Sequence, residues 1–145
     1  KFMKSDELDA KLVALLAENA RAPVATLARR LGLARTTVQT RIERLETTGA
    51  IAGYTIRRGA KGRAALRATV LISIEPRSGP AVLARLKALS GVEQVHTTSG
   101  RWDLIALLSA PTTEALDDTL DDIGAAKGVR SSESLIHLST KIDRS

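Results

Sequence analysis

The stretch Leu27-Ala28-Arg29-Arg30-Leu31-Gly32-Leu33-Ala34-Arg35-Thr36-Thr37-Val38 decides how the first third of this chain folds. Leu27, Ala28 and Leu31 form the inner face of a short helix, about Val24 to Leu31. Gly32 stands where a left-handed residue stops that helix, and Leu33 follows as an apolar plug. A third helix, about Arg35 to Thr48, turns Val38, Ile42 and Leu45 to one side, and Gly49 ends it. A helix-turn-helix requires a small residue where its helices cross, a turn residue tolerant of positive φ, and an apolar anchor in the second helix. Ala28, Gly32 and Val38 meet these needs together. Any one alone is a weak signal.

Upstream, Ser5 to Asn19 reads as a helix, with Leu8, Leu12, Leu15 and Leu16 at three- and four-residue spacing. Ser5 or Asp6 is expected to cap its start, and Asp6, Glu7 and Asp9 suit the positive end of its dipole. Pro23 bars continuation and suits the start of the next helix. Downstream, Ile51 to Arg58 alternates apolar and polar residues and reads as a strand. Gly59-Ala60-Lys61-Gly62-Arg63 has linker composition. The expected division is a winged or plain helix-turn-helix unit over 1–52, a strand and linker over 53–64, and a second domain over 65–145.

The exposed side of the third helix carries Arg35, Thr36, Thr37, Gln39, Thr40, Arg41 and Arg44. Arginine can read guanine with two hydrogen bonds, glutamine can read adenine, and threonine methyls can meet thymine methyls. The N-terminal half of such a helix faces base edges. Arg29, Arg30 and Arg44 are placed to meet phosphates, as are Arg57, Arg58, Lys61 and Arg63. The charge distribution agrees. The net charge is +6. Residues 1–64 hold 13 Lys and Arg against 6 Asp and Glu, a net +7, while residues 65–145 hold 9 against 10, a net −1. One half is built to meet a polyanion such as double-stranded DNA.

The second half has a different rhythm. Leu66 to Glu75 is a β-branched, apolar strand closed by Pro76. Gly79 to Leu89 is helical, with Val82, Leu83, Leu86 and Leu89 inward. Val92 to Thr98 and Trp102 to Ser109 are strands joined by the tight turn Ser99-Gly100-Arg101. Thr112 or Thr113 caps a helix through about Gly124, with Leu116, Leu120 and Ile123 inward. Gly128 opens a last strand to about Ser139. The order β-α-β-β-α-β predicts a ferredoxin-like domain, a four-stranded antiparallel sheet with both helices on one face. The fold class is therefore α+β. A second copy is the simplest cover for the sheet's other face.

At this point the chain resembles the Lrp/AsnC (feast/famine) transcription regulators of bacteria and archaea, from Leu8-Asp9 to about Lys141. Leu8 to Leu16 is similar to the family's opening helix. Leu27-Ala28 through Gly32-Leu33, Arg41, Arg44-Leu45-Glu46 and Gly49-Ala50-Ile51-Ala52-Gly53-Tyr54 are similar to its DNA-binding signature. Thr98-Ser99-Gly100-Arg101-Trp102-Asp103 is similar to its glycine–aromatic–aspartate turn, and Gly128-Val129 to the opening of its last strand. The resemblance implies a sequence-specific transcription regulator that dimerises through its sheets, with octamers in many members. It also implies an amino acid or related metabolite as effector. Its pocket would lie near Thr98, Ser99, Gly100, Arg101, Trp102 and Asp103, with Ser132 or Ser134 nearby. Turn N–H groups and Arg101 suit a carboxylate, and Asp103 suits an ammonium. Two positions depart from the family pattern. Ala34 replaces a frequent capping Ser, and Arg101 stands where an acidic or small residue is common.

Other classes fit poorly. RNA-recognition versions of the fold stack bases on strand aromatics, and the chain's only aromatics are Phe2, Tyr54 and Trp102. There is no P-loop or dinucleotide fingerprint, and His96, Ser99 and Asp103 make a poor triad, so no enzyme is expected. The acidic run Asp117, Asp118, Asp121 and Asp122 reads as a solvated helix face. The absence of cysteine removes thiolate metal sites and suits a reducing, cytoplasmic setting. No apolar run approaches the roughly 20 residues of a membrane span, and no cofactor is expected. The rival to an effector-responsive regulator is an architectural protein that coats DNA with little ligand response.

Overall fold

The computed structural model describes residues 4–59, 62 and 66–144. The chain divides into two compact units, residues 1–57 and 58–145.

The described residues of the first unit form three helices, α1 (Ser5–Glu18), α2 (Val24–Leu31) and α3 (Arg35–Thr47). Their apolar stripes converge on Leu12, Leu16, Leu27, Ala28, Val38, Ile42 and Leu45, with Leu15, Leu31, Leu33 and Ile51 packed around them. Gly32 at φ 66° lets the chain reverse out of α2. The Leu33 N–H then bonds back to the Ala28 carbonyl at 2.9 Å, and Leu33 drops into the core. This tight reversal sets the angle between α2 and α3.

Two expectations for this unit need correction. Ser5 and Asp6 do not cap α1: the N-cap is Lys4, with no side-chain capping bond. The Ser5 hydroxyl is turned instead toward two arginines of α3. Ile51–Arg58 is not a strand either. Ile51 closes the core, its N–H bonded to the Leu45 carbonyl at 2.9 Å, but residues 52–59 have neither strand nor helix pairing. A strand exists only as part of a ladder that takes its N–H and C=O groups in register, and residues 52–59 belong to no strand ladder. Tyr54 and Ile56 are left exposed by this alternating segment, so the helix-turn-helix carries no wing among the described residues. Of the expected linker, Ala60, Lys61 and Arg63 lie outside the described residues.

The second unit runs β1 (Leu66–Ile74), α4 (Gly79–Lys87), β2 (Val92–Thr97), β3 (Leu104–Ala110), α5 (Thr113–Gly124) and β4 (Val129–Ile136). The antiparallel sheet has the order β2-β3-β1-β4. Ala68, Val70 and Ile72 alternate inward on β1, as do Leu104, Ala106, Leu108 and Ala110 on β3. They pack on Val82 and Leu86 of α4 and on Leu116 and Ile123 of α5. Thr112 caps α5, its hydroxyl accepting from the Ala115 N–H at 3.1 Å. Leu83, expected inward, is 41% exposed, because the inward stripe of this short helix is filled by Val82 and Leu86. The last strand ends at Ile136 rather than Ser139, where its pairing with β1 runs out.

The opposite face of the sheet carries Leu71, Ile105 and Leu107, half-buried, and Leu135, 49% exposed. No described element of the same unit covers these side chains.

Candidate DNA-reading helix and effector turn

The surface of α3 sorts its side chains into two groups. Thr36 and Thr37 are exposed near its N-terminus, and the Arg35 side chain forms no hydrogen bond or ion pair among the described residues. The N-cap Ala34 has no side-chain oxygen to occupy the first N–H groups. Thr40 donates its hydroxyl to the Thr36 carbonyl at 2.9 Å, which fixes its rotamer and turns its methyl group. Gln39 donates Nε2–H to Glu43 at 3.2 Å, so its amide is oriented yet exposed. An open depression of about 360 Å³ follows this side of the helix, lined by Thr36, Thr37, Thr40, Arg41 and Arg44.

Arg41 and Arg44 are tied down. Arg41 Nη1 donates to Asp9 Oδ1 at 2.9 Å and to the Ser5 hydroxyl at 3.1 Å. Arg44 Nη2 donates to Asp9 Oδ2 at 2.9 Å, with a longer bond of 3.4 Å to Ser5. One carboxylate thus bridges two guanidiniums, one oxygen to each. The Asp9 side chain is only 16% exposed. Burial pushes its carboxyl pKa up, but the two arginine hydrogen bonds and charges outweigh that and hold it below the usual carboxylate value. Sequence reading missed this role and assigned Asp9 to the helix dipole. The available signal was that Ser5 and Asp9 are four apart and share a face of α1.

The two arginines on α2 remain exposed. Arg30 lies 3.9 Å from Glu18, a loose pair between two well-exposed side chains, and Arg29 makes no ion pair among the described residues. Tyr54 donates its hydroxyl to Glu46 at 3.0 Å. Burial and that anionic acceptor raise the phenol pKa. Arg57 donates to the Glu18 carbonyl at 3.2 Å.

In the second unit the turn between β2 and β3 is closed by backbone and side-chain bonds together. The Thr98 N–H bonds to the Asp103 carbonyl at 3.0 Å, and the Thr98 hydroxyl donates to the Trp102 carbonyl at 2.7 Å. Gly100 sits at φ 104° with open space around it, so glycine is required by conformation and not by crowding. Ser99, Gly100 and Arg101 are exposed, Trp102 is half-buried, and the Arg101 guanidinium lies 5.3 Å above the indole. Asp103 is bound to the neighbouring strand: its N–H reaches the Ile72 carbonyl, and its Oδ2 accepts from the Ile74 N–H, both at 2.9 Å. One carboxylate oxygen is therefore committed to backbone.

Ser132 and Ser134 are exposed on the edge strand β4, opposite Ile72 and Val70, and β1 separates them from β3. Within one chain they do not join the turn. A pair that sequence reading passed over lies at this end of the sheet instead. Arg130 donates from Nη2 and Nε to the two oxygens of Glu75 at 3.1 and 3.3 Å. These bonds and the guanidinium charge lower the Glu75 pKa, and Arg130 is raised in turn, with Asp103 adding to the effect. Glu75 and Arg130 are far apart in sequence, so only the β1–β4 pairing reveals them.

Comparison with known proteins bears on both units. Residues 6–46 match the AsnC-type helix-turn-helix domain, and residues 67–145 match the Lrp/AsnC ligand binding domain. The chain belongs to the Lrp/AsnC family of transcriptional regulators. Among its relatives is the HTH-type transcriptional regulator LysM of Sulfurisphaera tokodaii, 31% identical over 92% of this chain and 94% of that protein. The structure of AsnC from E. coli superposes with a TM-score of 0.87 at 25% identity, covering 100% of this chain and 98% of that one. The feast or famine regulatory protein of M. tuberculosis, complexed with L-methionine, superposes at 0.83 with 33% identity and 97% of each chain covered. This Lrp/AsnC regulator thus has the expected α+β fold, a DNA-binding helix-turn-helix and a ligand-binding domain, and it is not an enzyme. None of its described helices is long and apolar enough to cross a membrane.

Proposed function

We propose that this regulator binds a specific double-stranded DNA site through α3, as a homodimer, and that an amino acid or related metabolite at the Thr98–Asp103 turn changes that binding. The observation that carries the DNA reading is the exposed Arg35, Thr36, Thr37, Gln39 and Thr40 face at the start of α3, set in the basic N-terminal part of the chain, where residues 1–64 carry a net +7. Arg29, Arg30, Arg41 and Arg44 are suited to the sugar-phosphate backbone on either side. Two such helices related by a two-fold axis would meet half-sites roughly 34 Å apart. The apolar face of Leu71, Ile105, Leu107 and Leu135 supports pairing of two sheets, since an uncovered apolar sheet face is costly in water.

For the effector, the exposed Arg101 and the turn N–H groups suit a carboxylate, and the uncommitted oxygen of Asp103 suits an ammonium. A relative holds L-methionine, so methionine heads the panel to test. An effector can act only if its affinity differs between the DNA-bound and free assemblies. Trp102 is the single tryptophan and lies in the turn. Titration of its fluorescence with each amino acid should give a saturable change for one or a few, and that amino acid should shift the affinity for a DNA site selected from a random library. Selection that returns no common site would favour an architectural coat. A fluorescence signal that leaves DNA affinity unmoved would remove the effector from regulation.

A further inference from the structure

We infer that Asp9, on α1, is a positioning residue for DNA binding: it holds Arg41 and Arg44 of α3 as one preset guanidinium pair that grips a backbone phosphate. The inference rests on the DNA-binding reading above. Arg41 and Arg44 are three apart on one helix, where like charges on the same face repel. Left alone, the two side chains would splay, and each would have to be ordered when DNA arrived. The Asp9 carboxylate offers one oxygen to each guanidinium at 2.9 Å and so sets their spacing. The Ser5 hydroxyl sits between the same two groups, at 3.1 and 3.4 Å. Asp9 reaches Nη1 of Arg41 and Nη2 of Arg44. A guanidinium has five N–H donors, so both arginines keep donors for a further acceptor, and both line the depression beside Thr36, Thr37 and Thr40. Their place in the second half of α3 suits phosphate contact, since base contacts concentrate at the N-terminal end of such helices.

The sign of one substitution tests this. Asp9→Asn removes a negative charge next to the DNA-binding face. If Asp9 only braces α1 against α3, or only adds charge, the variant should bind DNA as well as the parent or more tightly, with an equal or steeper dependence on salt. If Asp9 positions the pair, binding should weaken by about tenfold even at low salt, because two arginine side chains must now be ordered on association. The salt dependence should be no steeper. The measurement is fluorescence anisotropy of the full-length protein with a labelled duplex selected from a random library, across a salt series. It is made well below the unfolding midpoint of each variant. Ser5→Ala carries the test without a charge change and should weaken binding a few-fold. It also decides the matter if Asp9→Asn fails to fold. Equal or tighter binding by Asp9→Asn, or by Ser5→Ala where Asp9→Asn is unfolded, would overturn the inference. A parent protein that binds no duplex would refute the DNA-binding reading itself.

Discussion

Three glycines of the ligand-binding unit separate two reasons for needing glycine, and their replacement by alanine should rank accordingly. Gly100 has φ 104° but open space where a Cβ would sit. Gly91 has ordinary φ, but a Cβ there would meet Thr119 Oγ1 at 2.9 Å and the Ser109 carbonyl at 3.3 Å. Gly128 has both problems: φ 97°, and a Cβ at 2.6 Å from Ser78 Cβ and 3.0 Å from Val82 Cγ2. Val82 is fully buried, so it cannot step aside into solvent. A left-handed conformation costs a non-glycine residue about 1–2 kcal/mol. Overpacking costs typically about 1–3 kcal/mol. Each Gly→Ala change regains about 0.4–1 kcal/mol from the stiffer unfolded chain. Gly100→Ala and Gly91→Ala should therefore each lose about 1 kcal/mol, and Gly128→Ala roughly 2–4 kcal/mol. For a unit of this size the last figure lowers the melting midpoint by roughly 10–25 °C. Calorimetry or circular dichroism at one fixed protein concentration measures all three. If Gly128→Ala cost no more than Gly100→Ala, the contact with Ser78 and Val82 would be freely relaxed. The packing argument for this loop would then be wrong.

Further outcomes follow from other sites. Arg77 holds φ 65° in the turn that follows β1, so Arg77→Gly should raise stability by about 0.5–1 kcal/mol, read as a higher urea midpoint. A fall in midpoint would show that the Arg77 side chain stabilises the turn. Val38→Ala removes two methyl groups from a fully buried site and should destabilise the helix-turn-helix unit by about 2 kcal/mol in urea unfolding. Because the Asp9 carboxyl pKa is lowered on folding, its contribution is present above the unfolded value, about 3.9, and is lost as pH falls through the lower folded value. Acid titration of the first unit should accordingly be shallower in Asp9→Asn than in the parent, and an unchanged acid limb would contradict the pairing with Arg41 and Arg44.

Local pattern made most of the architecture legible. Leucines at helical spacing, glycine after α2, the apolar runs that became β1 and β3 and the threonine cap of α5 each act over a few residues, and each such element is found close to where sequence reading places it. The exposed stretch of α3 was legible for the same reason, since a helix with one apolar stripe must present the rest to water. The errors fell where a partner decides. Ile51–Arg58 has the alternation of a strand, but residues 52–59 join no strand ladder. Leu83 has the residue type of a core position on a helix whose inward stripe is already full. Ser5 has the residue type of a cap, but its hydroxyl is taken by Arg41 and Arg44.

By itself, then, the sequence determined the helix-turn-helix, the β-α-β-β-α-β order and the contrast between a basic and a near-neutral half, because hydrophobic period, turn chemistry and charge are properties of short segments. Only the tertiary structure decided which charges are paired. Asp9 with Arg41 and Arg44, and Glu75 with Arg130, join residues distant in the chain. An ion pair depends on two side chains meeting within a few ångströms, and no local period encodes that meeting.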